Sequence, residues 1–175
     1  VFPRGYFPEN VFFLTEDGSL YATGQNNPGV QGRGNVTQTT TPLICNDKLK
    51  WVSEIYHCPA GTSSRYQMGF MCHANKEDRI ARRNGWVYVT GYGHYACGFY
   101  NYPSPISGPM SPAFPLGVNG TLVQANVHGY MGSSTSKTTS WEVLDENGDM
   151  YVWGEDSQGQ TSGNEGNLYV PAKRI

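Results

Sequence analysis

The sequence predicts an all-β chain in which one antiparallel unit occurs three times. Three observations predict it: a recurring Asp/Asn-Gly turn that runs into an apolar-Tyr strand, Gly-rich stretches ending in proline, and a composition low in charge and high in aromatics. The copies read Glu16-Asp17-Gly18-Ser19-Leu20-Tyr21-Ala22-Thr23-Gly24, Arg83-Asn84-Gly85-Trp86-Val87-Tyr88-Val89-Thr90-Gly91 and Glu146-Asn147-Gly148-Asp149-Met150-Tyr151-Val152-Trp153-Gly154. Only 15% of residues are charged and 13% are aromatic, with a net charge of −2. Such a chain folds, because disordered segments lack aromatics and carry more charge.

Each copy is a hairpin. Asp-Gly or Asn-Gly between apolar runs signals a tight turn, because glycine takes positive φ without a Cβ clash. The incoming strands are expected over residues 11–15, 78–82 and 140–144, and the outgoing strands over 19–23, 86–90 and 149–153. Alternation places Leu20, Val87 and Met150 on one face, with Ala22 and Val89 beside the first two. It places Tyr21, Tyr88 and Tyr151 on the other. Strands apolar on both faces belong to sheets packed from both sides. After the hairpins, Gly24 is followed by Gly29, Gly32, Gly34 and Pro42, and Gly154 by Gly159, Gly163, Gly166 and Pro171. The middle copy departs, with Ala96 in place of glycine and a longer stretch through Phe99, Tyr100, Tyr102 and Pro103 to Pro115. Residues 51–57 and 122–128, rich in β-branched side chains, read as a further strand of each unit. The units occupy approximately 1–44, 51–117 and 122–175 of one domain.

The runs Thr15 to Asn26, with Gly29, Gly32 and Pro42-Leu43-Ile44, and Asp145 to Gly154, with Gly159-Gln160 and Pro171, resemble the repeat of the regulator-of-chromosome-condensation family. That resemblance implies a β-propeller-like architecture of about three blade-type repeats, each a sheet of four short antiparallel strands with long Gly-rich loops. Propellers have four to eight blades, and three left open expose strand edges. The chain is therefore expected to be part of a larger ring or assembly, built from a longer polypeptide or from copies around an axis.

Composition narrows function. A net charge of −2 and a pI near 6.1 supply no global basic surface for nucleic acid or anionic lipid, and no apolar run is long enough to span a membrane. Cys45, Cys58, Cys72 and Cys97 form no CxxC pair and are expected as buried or half-buried thiols, with a Cys58–Cys72 bridge as the alternative. His57-Cys58 and Cys72-His73 are awkward as metal ligands, being adjacent, and His57 matches His128 by its offset from Val52 and Val123. Gly129 to Thr138 has Ser136 where a phosphate loop needs glycine and runs into an expected strand, so it reads as a polar connection. Residues 76–83 mix four basic with two acidic side chains and read as a solvated strand edge. The sequons at Asn35 and Asn119 need no cause in an Asn/Thr-rich chain.

No catalytic constellation is recognisable, and the acidic residues sit at turns, where they are solvated. No enzyme, cofactor or metal site is expected. The stretch from Tyr92 to Pro103 stands out, because Tyr with Gly and Asn provides amphipathic contact area at low entropic cost. Tyr92, His94, Tyr95, Phe99, Tyr100 and Tyr102 are the candidate partner-binding residues. The functional expectation is a non-enzymatic binding or structural module of an extracellular or virion-associated protein of fibre or adhesin type. Its partners would be subunits of the same assembly, a homo-oligomer included, or a cell-surface receptor or glycan. The alternative that the resemblance implies is a cytoplasmic regulator of a small GTPase, promoting nucleotide exchange.

Overall fold

The computed structural model describes residues 2–3, 10–27, 29–58, 67–91, 106–112, 114–129, 139–154 and 168–174. They form three antiparallel sheets of four strands, each with its strands in chain order. Sheet one contains β1 (Phe2–Pro3), β2 (Asn10–Leu14), β3 (Leu20–Gly24) and β4 (Thr39–Ile44). Sheet two contains β5 (Glu54–Cys58), β6 (Gln67–Cys72), β7 (Trp86–Gly91) and β8 (Ile106–Met110). Sheet three contains β9 (Leu122–Gly129), β10 (Thr139–Asp145), β11 (Met150–Gly154) and β12 (Leu168–Lys173). One short helix, α1 (Lys76–Ala81), interrupts the pattern, and the described residues close no barrel.

The first and third hairpins turn as expected. Gly18 (φ +80°) donates its N–H to the Thr15 carbonyl at 3.0 Å, and Gly148 (φ +87°) does the same to Asp145 at 3.1 Å. A carboxylate closes each turn. Asp17 Oδ1 accepts from Thr15 Oγ1 (2.6 Å) and Ser19 N (3.1 Å), and Asp145 Oδ1 accepts from Asn147 N (2.9 Å) and Asp149 N (2.8 Å).

The middle turn corrects the expectation. Residues 78–82 are not the incoming strand, nor are residues 76–83 a strand edge: most of this segment is α1, and β6 pairs with β7 instead. Asn75 caps the helix, its Oδ1 accepting from Asp78 N at 2.8 Å, and Arg82 ends it in the left-handed region (φ +51°). Asn84 (φ +50°), not Gly85, carries the other positive φ of this turn. The Asn-Gly pair resembled a hairpin turn because its local chemistry is the same; the helix and its caps lie upstream of it.

The fourth strands were the least legible, and they share one irregularity. Gly24 pairs with Thr39, but Ala22 pairs with Leu43; Gly91 pairs with Ile106, but Val89 with Met110; Gly154 pairs with Leu168, but Val152 with Ala172. The register therefore shifts at the same place in all three sheets. Each glycine there has φ between +103° and +113°, which other residues rarely adopt. Pro42, Pro109 and Pro171 each sit one residue before the resumed pair, on an edge strand where a missing N–H breaks no ladder. The stretch after Gly91 is not longer than its counterpart in sheet one. Both run the same number of residues to the paired strand, and the additional length of the middle unit lies in the α1 turn.

Successive sheets pack face to face. Leu20, Ala22 and Phe12 meet Met68, Phe70 and Cys72 in one core; Val87, Val89 and Met71 meet Trp141, Val143, Tyr151 and Trp153 in the other. Each sheet thus has a leading face, toward the sheet that follows, and a trailing face. The expected division holds, with Leu20, Val87 and Met150 leading and Tyr21, Tyr88 and Tyr151 trailing. Gly69 is the socket of the second core. A Cβ there would lie 2.1 Å from Trp141 Cη2, so the indole rests on bare backbone. Trp141 stacks on Trp153 (centroids 5.8 Å apart, planes at 5°) and meets Tyr56 edge-on.

One smaller expectation changes, and the buried thiols expected at Cys45 and Cys72 are found. His57 and His128 are not equivalent: Leu144 pairs with Gln124 and Asp145 with Leu122, so Val123 is an additional residue, and His128 corresponds to Cys58 on the opposite face from His57. Cys45 and Cys72 are buried free thiols, so no Cys58–Cys72 bridge forms. Burial pushes the Cys45 thiol up to about 12 and raises Cys72 as well.

Candidate partner-binding end of the sheets

Connections alternate between two ends of the sheets. The hairpin turns and the links between sheets, residues 15–19, 45–53, 73–85, 111–121 and 146–149, lie at one end. Residues 4–9, 25–38, 59–66, 92–105, 130–138 and 155–167 connect strands at the other. Sequence chemistry follows this division. The second end carries Arg4, Arg33, Arg65 and Lys137 with Glu9, Glu155, Asp156 and Glu165, whereas the first, built from fewer residues, carries half of the chain's charged side chains. Most of the non-strand Tyr and Phe, by contrast, belong to the second end.

Several charges of the first end bind the protein to itself. Asp78 is buried and accepts from Arg83 Nε (2.8 Å), Asn84 Nδ2 (3.0 Å) and Asn75 Nδ2 (2.9 Å). The Arg83 guanidinium, aided by both amides, holds the Asp78 carboxyl below the usual range against the opposing effect of desolvation. Arg79 Nε donates to the Val52 carbonyl at 2.8 Å, and Arg82 pairs with Glu54 at 2.6 Å. His73 has both ring nitrogens occupied, at 2.8 Å from the Arg83 carbonyl and 2.9 Å from Ser53 Oγ. It therefore has no free lone pair for a metal. Among the described residues no three His, Cys, Asp or Glu gather as metal ligands, and no helix is long and apolar enough to cross a membrane.

Tyr92, His94, Tyr95, Phe99, Tyr100 and Tyr102 belong to the connection between Gly91 of β7 and Ile106 of β8 and lie outside the described residues. So do residues 130–138, which join β9 to β10, a strand and not the helix of a phosphate loop. The described counterpart is the 25–38 connection of sheet one, and it shows how such a loop is held. Asn26 is fully buried: its Nδ2 donates to the Asn35 carbonyl at 2.8 Å and its Oδ1 accepts from Gln31 N at 2.9 Å. Gln31 Nε2 donates to Asn10 Oδ1 at 2.8 Å. From the next sheet, Thr90 Oγ1 donates to the Val30 carbonyl at 2.7 Å. Gly32 (φ +66°) lies so close to Leu49 and Thr90 that a Cβ would sit 2.7 Å from Leu49 Cδ1. The root of the loop is thus wedged between sheets, while residues 34–38 are exposed. Beside it opens a cavity of about 620 Å3 lined by Gly24, Gln25, Gln38, Thr39 and Thr40. Among the described residues its lining is amides and hydroxyls without charge, a donor and acceptor set suited to hydroxyl or peptide groups. Sequence reading missed this loop, although its Asn and Gln among glycines are the signal of backbone held by side-chain amides.

No protein-family model matches the chain. Among solved structures it is similar to that of human WBSCR16, a propeller protein of the regulator-of-chromosome-condensation type, with 20% identity and a TM-score of 0.61. The match covers 95% of this chain and 36% of that one, so the chain spans about a third of the protein it resembles. At that identity the likeness establishes a shared fold.

Proposed function

We propose that the chain forms three consecutive blades of a β-propeller and acts as a non-enzymatic binding and structural module whose contact surface is the weakly charged, aromatic end of the sheets. The carrying observation is the threefold recurrence of one four-stranded meander, down to the same register shift opposite Gly24, Gly91 and Gly154, with successive meanders packed face to face. The likeness to human WBSCR16 supports the architecture. The segregation of self-paired charge to the opposite end supports the choice of surface. Its Gly, Ser, Asn and Tyr composition suits an extracellular or virion-associated protein that meets a neighbouring subunit or a glycan.

The test is binding by the recombinant chain to soluble glycans, to host cells and to copurifying subunits. Replacing Tyr95, Phe99, Tyr100 and Tyr102 together by Ser should weaken binding at least about tenfold, roughly the loss of one buried anchor. Arg82→Ala should leave it unchanged. Absence of binding in every format overturns the reading, and acceleration of nucleotide release from a small GTPase would assign the sheets to exchange regulation instead.

A further inference from the structure

The two formed interfaces share one register, and the residues that meet across them are matched in size. On the second strand of each sheet, the leading-face residue paired with Ala22, Val89 or Val152 is Phe12, Gly69 or Glu142. On the trailing face, the residue paired with Thr23, Thr90 or Trp153 is Val11, Met68 or Trp141. Where the leading residue is Gly69, the trailing residue of the next sheet is Trp141, which fills the space over the glycine. Where it is Phe12, the next sheet supplies the slimmer Met68, and Phe70 meets the Phe12 ring edge-on at 5.6 Å.

Sheet three continues this register but changes its chemistry. Part of its leading face is apolar, with Leu144 and Met150 half-buried and Val152 already buried within the chain. The β9 side of that face carries Gln124, Asn126 and His128 around Glu142, which occupies the position of Phe12 and Gly69. His128 Nε2 lies 3.4 Å from Glu142 Oε1 and 3.1 Å from Asn126 Nδ2, and a cavity of about 190 Å3 opens over Glu142, Leu144 and Met150. A sheet seated here in the common register sets one trailing side chain directly against the Glu142 carboxylate. Desolvating a carboxylate against an aliphatic group is strongly unfavourable, whereas a guanidinium or ammonium compensates it with charge-assisted hydrogen bonds. The first sheet of a second copy would bring Val11 to that place.

We propose, resting on the propeller reading, that the leading face of sheet three seats a further four-stranded sheet that presents an arginine or lysine to Glu142, and that it does not seat a second copy of this chain. Continuity with the two formed interfaces sets the register, and charge complementarity sets the residue. Glu142 then acts as a selector, admitting the proper neighbour and rejecting self-association.

Complementation in the chain itself tests this by sedimentation velocity. Wild type should remain monomeric. Val11→Arg should give concentration-dependent head-to-tail association, with a dissociation constant at least about tenfold lower than that of wild type. Adding Glu142→Arg to Val11→Arg should abolish the gain. The assignment is overturned if wild type associates and Glu142→Arg dissolves that association, if Val11→Arg stays monomeric, or if the double variant associates as tightly as Val11→Arg. Near-UV circular dichroism separates the two levels. In Val11→Arg, a signal from the stacked Trp141–Trp153 pair with no association overturns the occupant alone, whereas absence of that signal in wild type overturns the stacked sheets beneath it.

Discussion

Gly69→Ala adds one methyl group at the most crowded point between sheets two and three. The new Cβ would lie 2.1 Å from Trp141 Cη2, 2.8 Å from Cζ3 and 3.1 Å from Cζ2. Non-bonded carbons rest about 3.5–4.0 Å apart, so a ring or a strand must move by about 1.5 Å. The ring is confined. Trp141 is 0% exposed, lies parallel to Trp153, and is met on its edge by Tyr56. Trp153 is in turn held by Phe114 at 5.4 Å, so a shift of one indole passes into its neighbours. Overpacking of this kind costs about 1–3 kcal/mol, and the rigid surroundings place it at the upper end. In a chain of this size that is a fall in Tm of about 6–12 °C by thermal unfolding followed at far-UV wavelengths. Trp141→Phe relieves the clash and removes a buried indole N–H that has no hydrogen-bond partner among the described residues, so Gly69→Ala/Trp141→Phe should be less destabilised than the sum of its parts. An unchanged Tm for Gly69→Ala, or strict additivity in the cycle, would refute the socket.

Three further outcomes follow from the same geometry. Alanine at Gly24, Gly91 and Gly154 should cost about 1–3 kcal/mol each, with similar values by urea titration, because all three hold the same positive φ at the same shift of register. A cost at one position and none at the others would break the equivalence of the sheets. The depressed carboxyl of Asp78 contributes stability that is complete above its unfolded value, near pH ~3.9, and is lost as pH falls through its lower folded value. Asp78→Asn should therefore lower Tm at neutral pH and flatten the acid limb below about pH 4, and an unchanged acid limb would refute the role given to Arg83. Cys45 and Cys72 should resist alkylation at pH 8 in the folded chain and react on denaturation, as read by peptide mass mapping.

Hairpin chemistry is local, and this is why the first and third turns were legible: an acid and a glycine within five residues hold everything the turn requires. The alternation of Leu20-Tyr21-Ala22 is likewise local, and it placed both faces correctly. What failed was whatever depended on residues beyond the motif. Asn84-Gly85 carries the same letters as the other turns, but Asn75, Asp78 and Arg82 upstream direct the chain into a helix, and Gly85 serves a different partner. Its N–H donates to the Leu122 carbonyl at 2.9 Å, in the link to the next sheet. The fourth strands were illegible for the opposite reason. Proline argues against a strand in general, and only their position at an edge, which is a tertiary fact, makes Pro42, Pro109 and Pro171 acceptable. Gly69 had no sequence signal at all, since its role exists only once Trp141 arrives from another sheet.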